Sequence, residues 1–285
     1  MIHNLQKYWR FKNFDIMTVI SYLLLFAGAW LMMFPFIWMI SSSFKPTHEM
    51  FDQNWTFWPK EPQIFENYYS VLFEQDFALF VLNSLIVCIL ILIVQLVTSI
   101  PCAYALAKLK FKGQNILFGS IIMGLTIPIN VTSIPIYLGI VQINMLDTYF
   151  AMCFPFFISV FAIFLFRQFF KTFPDSIIEA ARIDGFTEIE IVIRLVVPSA
   201  IPAISAFSVF SFVAHWNDLY WPLIVVTSMD KTTATLSMMQ YSDGFYTDNQ
   251  GAFAAATVVT LPMVIAFLCA RRLFIRGITM TGIKG

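Results

Sequence analysis

The chain is short of charge. Asp, Glu, Lys and Arg make up 12% of its 285 residues, whereas hydrophobic residues make up 59%. An ordinary soluble domain carries about 25% charged residues, so this composition excludes one. Charge-free windows of about the length that a transmembrane helix needs, roughly 20 residues, recur along the chain. They run over residues 16–44, 77–107, 113–146, 148–166, 195–217 and 249–270. The composition therefore predicts an all-α, polytopic membrane protein.

Residue patterns that carry chemistry are also missing. No Gly is followed directly by Lys, which excludes the phosphate-binding loop G-x-x-x-x-G-K-[ST]. No H-E-x-x-H motif and no nucleophile–base pair is visible, which disfavours an intramembrane enzyme. The four cysteines lie inside apolar windows without metal-ligand spacing, so we expect packing rather than disulfides; they are Cys88, Cys102, Cys153 and Cys269. We expect a chain that is not an enzyme and that holds no cofactor or metal of its own.

The apolar windows predict six transmembrane spans. Their approximate bounds are 16–40, 80–107, 116–140, 148–167, 199–226 and 251–270. The first window is too long for the apolar part of a secretory signal, and no small-x-small cleavage site follows it. We therefore interpret it as a retained span.

Basic residues predict the orientation, because cytoplasmic loops accumulate Lys and Arg. Of the 17 Lys and Arg residues, all except Lys45, Lys60 and Lys231 fall on one side of the six spans. That side includes both termini, which we expect in the cytoplasm. The predicted divisions are a cytoplasmic N-terminus (1–15), a first span (16–40), an extracellular loop (41–79), a five-span core (80–271) and a cytoplasmic tail (272–285).

A short polar segment separates the fourth and fifth spans. Pro174 suits a first helical turn, and Ser176 precedes Glu179 with the spacing of a capping box. Gly185 offers a left-handed stop, and the sequence Thr-Glu-Ile-Glu from Thr187 repeats the capping pattern. The segment predicts two short helices.

The first of these short helices has the properties of a docking surface. Ala180 and Ala181 allow another surface to approach closely, while Glu179 and Arg182 can make charged contacts at its rim. The alternative is a solvated connector between membrane helices. Two capped helices with an apolar stripe exceed what a connector needs, so the pattern favours docking.

Polar residues cluster in the outer half of the fifth span. Asp218 stands in an apolar stretch beside His215, Trp216, Asn217 and Tyr220. Ionisable groups at membrane depth are costly and face a cavity or a partner. These residues either line a pathway and bind hydroxyl groups of a ligand or hold helices together, and both interpretations stay open. A proton relay through His215 and Asp218, as in an ion-coupled secondary transporter, is a weaker alternative.

The third span carries a second polar group between two prolines. Asn130, Thr132 and Ser133 lie between Pro128 and Pro135, which loosen the helix by removing backbone donors. Lining of a pathway and internal packing both stay open for these residues, with lining favoured. Polar residues of the second span are expected to join helices instead; they are Asn83, Ser84 and Gln95.

The polar segment also matches a known motif. Glu179-Ala180-Ala181, then Gly185, then Leu195-Val196-Val197-Pro198 have the spacing Glu-Ala-Ala, three residues, Gly, nine residues, Ile-x-Leu-Pro. This stretch resembles the EAA loop of ATP-binding-cassette (ABC) importer permeases. Over nearly its whole length the chain is similar to carbohydrate-importer permeases, in particular the maltose-type subunit without a large extra domain. Further matching stretches are SSSFKP (41–46), NSLIV (83–87), AYALAK (103–108), FRQFF (166–170), HWNDLYWPL (215–223) and RRLFIRGITMTGIKG (271–285).

The resemblance implies the type I ABC importer permease fold in a bacterial cell membrane. In that family the first short helix of the EAA loop, here within 172–198, inserts into a cleft of an ATPase subunit. The residues that carry over to this contact are Glu179, Ala180, Ala181, Arg182, Asp184 and Gly185.

The resemblance implies partners as well. They are two cytoplasmic ATPases that hold ATP and Mg²⁺, a second homologous permease subunit, and an extracellular or periplasmic substrate-binding protein. The implied substrate is a carbohydrate, with an oligosaccharide favoured, and no nucleic acid is involved. In maltose-type relatives the other permease subunit supplies most substrate contacts, so this chain is expected to supply few. The loop at 229–250 would face the binding protein, and the tail at 272–285 would reach between the ATPases.

Overall fold

The computed structural model of the protein describes residues 16–50, 56–242 and 249–281. The described residues are helical and contain no strand. The helices are α1 (Ile16–Ser43), α2 (Thr47–Met50), α3 (Ile64–Tyr69), α4 (Phe77–Lys108), α5 (Gln114–Met123), α6 (Ile129–Gln142), α7 (Tyr149–Cys153), α8 (Val160–Lys171), α9 (Asp175–Ile183), α10 (Glu188–Ile191), α11 (Val197–Ser199), α12 (Ile201–Trp216), α13 (Tyr220–Val225), α14 (Ala234–Ser242) and α15 (Asn249–Thr281). The predicted N-terminus at 1–15, the middle of the loop at 229–250 and the end of the tail lie outside the described residues.

Length and hydropathy of the described helices agree with the predicted spans. The long apolar helices α1, α4 and α15 can each cross a membrane. Three further spans arise if each of three bent pairs counts as one: Gln114–Thr126 with Ile129–Gln142, Tyr149–Phe156 with Val160–Lys171, and Glu188–Ser199 with Ile201–Trp216. These segments overlap the six predicted spans, although the fifth pair (188–216) begins and ends earlier than the predicted bounds of 199–226, and its first helices precede that span.

The bend in the third span is much larger than a proline kink. The two halves meet at 96°. Pro128 stands at the break with an extended backbone (φ −63°, ψ 139°), as does Ile127 before it (φ −91°, ψ 110°). A proline disfavours the helical conformation in the preceding residue and lacks the N–H that the next turn would use. The sequence predicts a loosened helix here, whereas the structure has two separate helices.

The core joins α9 to the long helices. α4 packs against α8 and α12, and α8 also packs against α12. Ile178 and Ala181 of α9 lie in the same buried cluster as Tyr104, Phe166 and Phe170. The short helices between the fourth and fifth spans are therefore part of the packed core.

Hydrogen bonds confirm that the polar residues of α4 join helices. Gln95 Nε2 donates to the Phe156 carbonyl at 2.9 Å, and Ser211 Oγ donates to Gln95 Oε1 at 2.7 Å. Asn83 Nδ2 donates to the carbonyls of Asp230 and Thr232 at 3.0 and 2.9 Å. These bonds attach α4 to α12, to the end of α7 and to the segment before α14.

Asp147 holds the turn between α6 and α7 against the segment after α13. Its carboxylate accepts hydrogen bonds from the backbone N–H groups of Thr227 and Ser228 at 2.7 and 2.9 Å, and from both of their hydroxyls. Partial desolvation opposes the charged form of Asp147, but these hydrogen bonds outweigh it and lower its pKa to about 2. The carboxylate therefore stabilises the fold while it is ionised.

We predict that Asp147→Asn lowers the free energy of unfolding at pH 7 by about 0.5–1.5 kcal/mol, because the neutral amide loses the charge-assisted hydrogen bonds from Thr227, which is exposed, and Ser228, which is half-buried. The folded pKa lies below the ordinary value of 3.8. The stabilisation is therefore present above pH 3.8 and is lost as the pH falls toward 2. Thermal unfolding in detergent should show a larger Tm difference between the two proteins at pH 7 than at pH 3.

Glu66→Gln is the matched control, since the Glu66 carboxylate is exposed and makes no hydrogen bond or ion pair among the described residues. Its Tm should equal that of the parent protein at both pH values. A Tm difference for Asp147→Asn that persists unchanged at pH 3 would contradict the role given to its charge.

Candidate functional site

The helix α9 begins differently from the sequence prediction. Its N-cap is Pro174 with an extended backbone, and no side chain caps it. Ser176 lies inside the first turn, so the predicted capping box of Ser176 and Glu179 is wrong. The physical reason is that the extended Pro174 already ends the preceding turn, and the helix starts directly after it. Asp175 occupies the first turn instead, where a carboxylate interacts favourably with the helix dipole.

The turn between α9 and α10 follows the prediction. Gly185 has φ +86°, in the left-handed region that favours glycine. Its N–H donates to the Arg182 carbonyl at 3.1 Å, and the Phe186 N–H donates to the Ala181 carbonyl at 3.0 Å. Thr187 then caps α10 in a complete capping box with Glu190. The two helices form a compact α9–α10 unit (residues 175–191).

An ion pair closes the α9–α10 unit. Arg182 Nε lies 2.7 Å from Glu188 Oε1, and the Tyr104 hydroxyl donates to Glu188 Oε2 at 2.6 Å. The hydrogen bond from Arg182 is the main reason that the pKa of Glu188 is lowered, and partial desolvation opposes it. Arg182 therefore binds α9 to α10, and Tyr104 binds both to α4.

The six predicted docking residues divide by exposure. Glu179, Ala180, Arg182, Asp184 and Gly185 are exposed, whereas Ala181 is 6% exposed and packs into the core. The spacing of Ala181 from Ile178, three residues on one helical face, is the sequence signal for this inward direction. The outward face also carries Ile183, one of the apolar residues that flank the Ala pair in the sequence, and it is 87% exposed. Glu179, Ile183 and Asp184 therefore share the exposed side of α9, and this side is the candidate docking surface.

A second site is a cleft of about 490 Å³ formed by α12, α13 and the start of α6. Five of the predicted pathway residues line it, namely Asn130, His215, Asn217, Asp218 and Tyr220. The cleft also has an aromatic side chain, Phe156, that the sequence did not reveal. The Phe156 ring lies 4.5 Å from the His215 ring, centroid to centroid, and no pattern around Phe156 marks it in the sequence.

The other predicted pathway residues lie elsewhere. Trp216 is 1% exposed, and its Nε1 donates to the Val259 carbonyl of α15 at 3.1 Å. Ser133 is 3% exposed and hydrogen-bonds the Tyr220 hydroxyl at 2.9 Å, so it supports a cleft residue. Thr132 is half-buried on α6, and its hydroxyl donates to the Ile129 carbonyl at 3.1 Å. None of these three lines the cleft.

His215 and Asp218 make separate contacts. His215 Nε2 lies 3.3 Å from Gln95 Nε2, and Asp218 Oδ1 accepts from the Trp221 N–H at 3.3 Å at the start of α13. Within the described part of the chain, no hydrogen bond joins the two side chains; the Asp218 backbone N–H donates to the His215 carbonyl at 3.4 Å. A polar cleft among apolar helices and an exposed α9–α10 unit are the two features that a membrane transport subunit would need.

Comparison with known proteins gives the family. Residues 95–280 match the family described as binding-protein-dependent transport system inner membrane component. The arabinooligosaccharides transport system permease protein AraQ of Halalkalibacterium halodurans is 30% identical over 90% of this chain and 93% of that protein. The sn-glycerol-3-phosphate transport system permease protein UgpE of Salmonella typhimurium is 30% identical over 92% of this chain and 96% of that protein.

A solved structure shares the fold. It is a chain from the crystal structure of a bacterial ABC transporter involved in the import of the acidic polysaccharide alginate. The TM-score is 0.80 with 21% sequence identity, over 91% of this chain and 96% of that chain. The predicted all-α ABC importer permease fold is confirmed.

The chain belongs to the family of binding-protein-dependent transport system inner membrane components. It is a multi-pass cell membrane protein and the permease subunit of an ABC importer. Such a permease is not an enzyme, and ATP hydrolysis takes place on a separate chain. Membership implies, in general terms, a partner permease, ATPase subunits and a substrate-binding protein.

We predict that Gly185→Ala destabilises the protein by about 1–2 kcal/mol, because a Cβ in the left-handed conformation is strained. No heavy atom within 4 Å of the new Cβ adds a clash. Gly139→Ala is the control, since Gly139 lies in α6 with equally open surroundings and no positive φ. Thermal unfolding in detergent should show a lower Tm for Gly185→Ala alone. Equal Tm values for the two variants would contradict the claim that the left-handed conformation at position 185 requires glycine.

Proposed function

We propose that this chain forms half of the translocation pathway of an ATP-driven, binding-protein-dependent importer for a carbohydrate. A second homologous permease forms the other half, and two cytoplasmic ATPases supply the energy. Both termini and the α9–α10 unit lie in the cytoplasm, in agreement with the distribution of Lys and Arg. The chain itself needs no cofactor, because ATP and Mg²⁺ are held by the ATPases.

The observation that carries the proposal is the two-sided packing of α9. One face buries Ile178 and Ala181 in the core, and the other exposes Glu179, Ile183 and Asp184. A surface so held cannot move without the helices beneath it. Closure of the ATPases on binding ATP would therefore shift α8 and α4 together with α9, as a rigid-body motion.

The cleft suits a hydroxyl-rich solute. Asn130, Asn217 and Tyr220 offer hydrogen-bonding groups, and Phe156 with Tyr220 offers apolar ring faces. Sugars present both hydroxyls and apolar C–H faces, so such a wall can hold them loosely. Among the residues that the structure describes, no Lys or Arg lines this cleft, which favours a neutral solute over a phosphate or an acidic sugar.

The relatives support a carbohydrate and favour an oligosaccharide. AraQ is described as a transport protein for arabinooligosaccharides. UgpE is described as a permease protein of an sn-glycerol-3-phosphate transport system, so a phosphate ester is the competing substrate class. Uptake by the reconstituted transporter with its binding protein, tested with neutral oligosaccharides and with sn-glycerol-3-phosphate, separates the two classes. Uptake of the phosphate ester alone would overturn the choice of substrate.

The alternative of an ion-coupled secondary transporter finds no support in the separate contacts of His215 and Asp218. It remains testable. If collapse of the proton gradient stops uptake while ATP stays high, the ion-coupled mechanism is favoured. We expect the rate of uptake to depend on the ATP concentration and not on the proton gradient.

We predict that Glu179→Lys lowers ATP-dependent uptake by tenfold or more while the protein still inserts and keeps its Tm. Glu179 is exposed and makes no hydrogen bond or ion pair among the described residues, so its replacement breaks no contact within them. Such a contact, when charged and desolvated, is worth about 2–5 kcal/mol. Lys112→Glu, an exposed charge reversal outside the α9–α10 unit, is the control. Uptake that survives Glu179→Lys, or that continues without any ATPase, would argue against the proposal.

We predict that Tyr220→Ala lowers the rate of sugar uptake about fivefold, which corresponds to the loss of a hydrogen bond of about 1 kcal/mol. ATPase assembly and basal ATP hydrolysis should stay at the parent level, because Tyr220 lies in the cleft and not on α9. Tyr22→Ala on α1 is the control; Tyr22 does not line the cleft. Equal uptake by both variants would show that the cleft is not part of the pathway.

A further inference from the structure

A positively charged cavity lies beside the α9–α10 unit. Its volume is about 460 Å³, and it forms where the ends of α4 and α8, the start of α5 and one face of α9 meet. The acidic side chains that line it are Asp175 and Glu179. The cationic side chains that line it are Lys108, Lys110, Arg167, Lys171 and Arg182. The cavity thus carries an excess of positive charge.

Two of the cations are already neutralised. Lys108 Nζ lies 2.6 Å from Asp175 Oδ1, and Arg182 pairs with Glu188. Lys110 and Lys171 make no ion pair or hydrogen bond with any described residue. Their charges are therefore available to a ligand.

Arg167 forms the floor of the cavity. Its side chain is 5% exposed, its Nε donates to the Leu106 carbonyl at 2.9 Å, and its Cζ lies 3.7 Å from the centre of the Phe118 ring. The terminal nitrogens have no hydrogen-bond partner in the described part of the chain. They are not fully buried, because the fully buried side-chain atoms without a partner in that part are those of Ser99 and Gln240. The guanidinium thus presents fixed N–H donors to the cavity, and this geometry matches a phosphate group.

The cavity lies at the level where the membrane helices end. Lys108 is the last residue of α4, and Lys171 is the last residue of α8. Directly beside it, α5 begins with exposed apolar side chains, with Ile116 77% and Leu117 48% exposed. Basic pockets between membrane helices at this level bind anionic lipid headgroups, and exposed apolar helix surface accommodates acyl chains.

We propose that this cavity binds a phosphate group, supplied by an anionic phospholipid of the adjacent leaflet. The headgroup phosphate lies between Arg167, Lys110 and Lys171, and the acyl chains lie along α5. A lipid held there joins the ends of α4 and α8 to α9 and stabilises the α9–α10 unit. The proposal does not depend on which solute the chain transports.

The test uses the purified transporter complex, with its partner permease and ATPases, in a neutral detergent. Dioleoyl phosphatidylglycerol, dioleoyl phosphatidylcholine and inorganic phosphate are added separately, and Tm is measured. Phosphatidylglycerol should raise Tm more than phosphatidylcholine. The double variant Lys110→Gln/Lys171→Gln should lose at least half of that preference, while Lys112→Gln, a nearby exposed lysine outside the cavity, should keep it.

The outcomes separate the possible sources of the phosphate. If inorganic phosphate alone reproduces the stabilisation and competes with phosphatidylglycerol, the cavity binds phosphate but takes it from solution. If phosphatidylglycerol has no advantage, or if the double variant keeps the advantage, the proposal is overturned. It is also overturned if the double variant loses the ATPases together with the lipid preference, because the lysines then contact protein.

Discussion

The burial of Ile178 and Ala181 against Phe166 and Phe170 is the constraint on which the rest of the structure depends. Burying one large aliphatic side chain contributes about 1.5–3 kcal/mol, so the contact is strong enough to hold a helix of nine residues in place. Packed cores do not deform continuously, because side chains interlock at high density. A force applied to the outer face of α9 is therefore passed to α8.

The packing continues from α8 to the cleft. α8 lies against both α4 and α12, and Gln95 of α4 bonds to Ser211 of α12 and to the Phe156 carbonyl. Phe156 in turn contacts His215 on the wall of the cleft. A single set of packed helices therefore connects the exposed face of α9 with the polar cleft. This continuity is what an importer requires if ATPase closure is to open and close a pathway.

The sequence predicted best those features that depend on a few neighbouring residues. The left-handed Gly185 and the capping box at Thr187 are local, and both formed as expected. The cap at Ser176 failed because Pro174 ends the preceding turn two residues earlier. The approximate positions of the six apolar segments could also be predicted from the sequence, since they follow from hydropathy alone.

Features that depend on tertiary packing could not be predicted from the sequence in the same way. The 96° bend at Pro128 depends on how two half-helices pack, which composition does not specify. Residues adjacent in sequence do not share a helical face, so Thr132 and Ser133, like Trp216 and His215, separate in the structure. Five of the predicted pathway residues lie around one cleft, and Phe156 was missed because it reaches the cleft from a different part of the chain.

The central claim, that α9 receives its driving force from a separate nucleotide-hydrolysing subunit, can be tested by cross-linking. Ile183→Cys in a cysteine-free background places a thiol at the position that is 87% exposed on α9. A bifunctional thiol reagent applied to the assembled transporter should capture the ATPase subunit, and an impermeant thiol label should reach this position only from the cytoplasmic side. If no ATPase is captured, or if the label reaches Ile183→Cys from outside the cell, the account is contradicted.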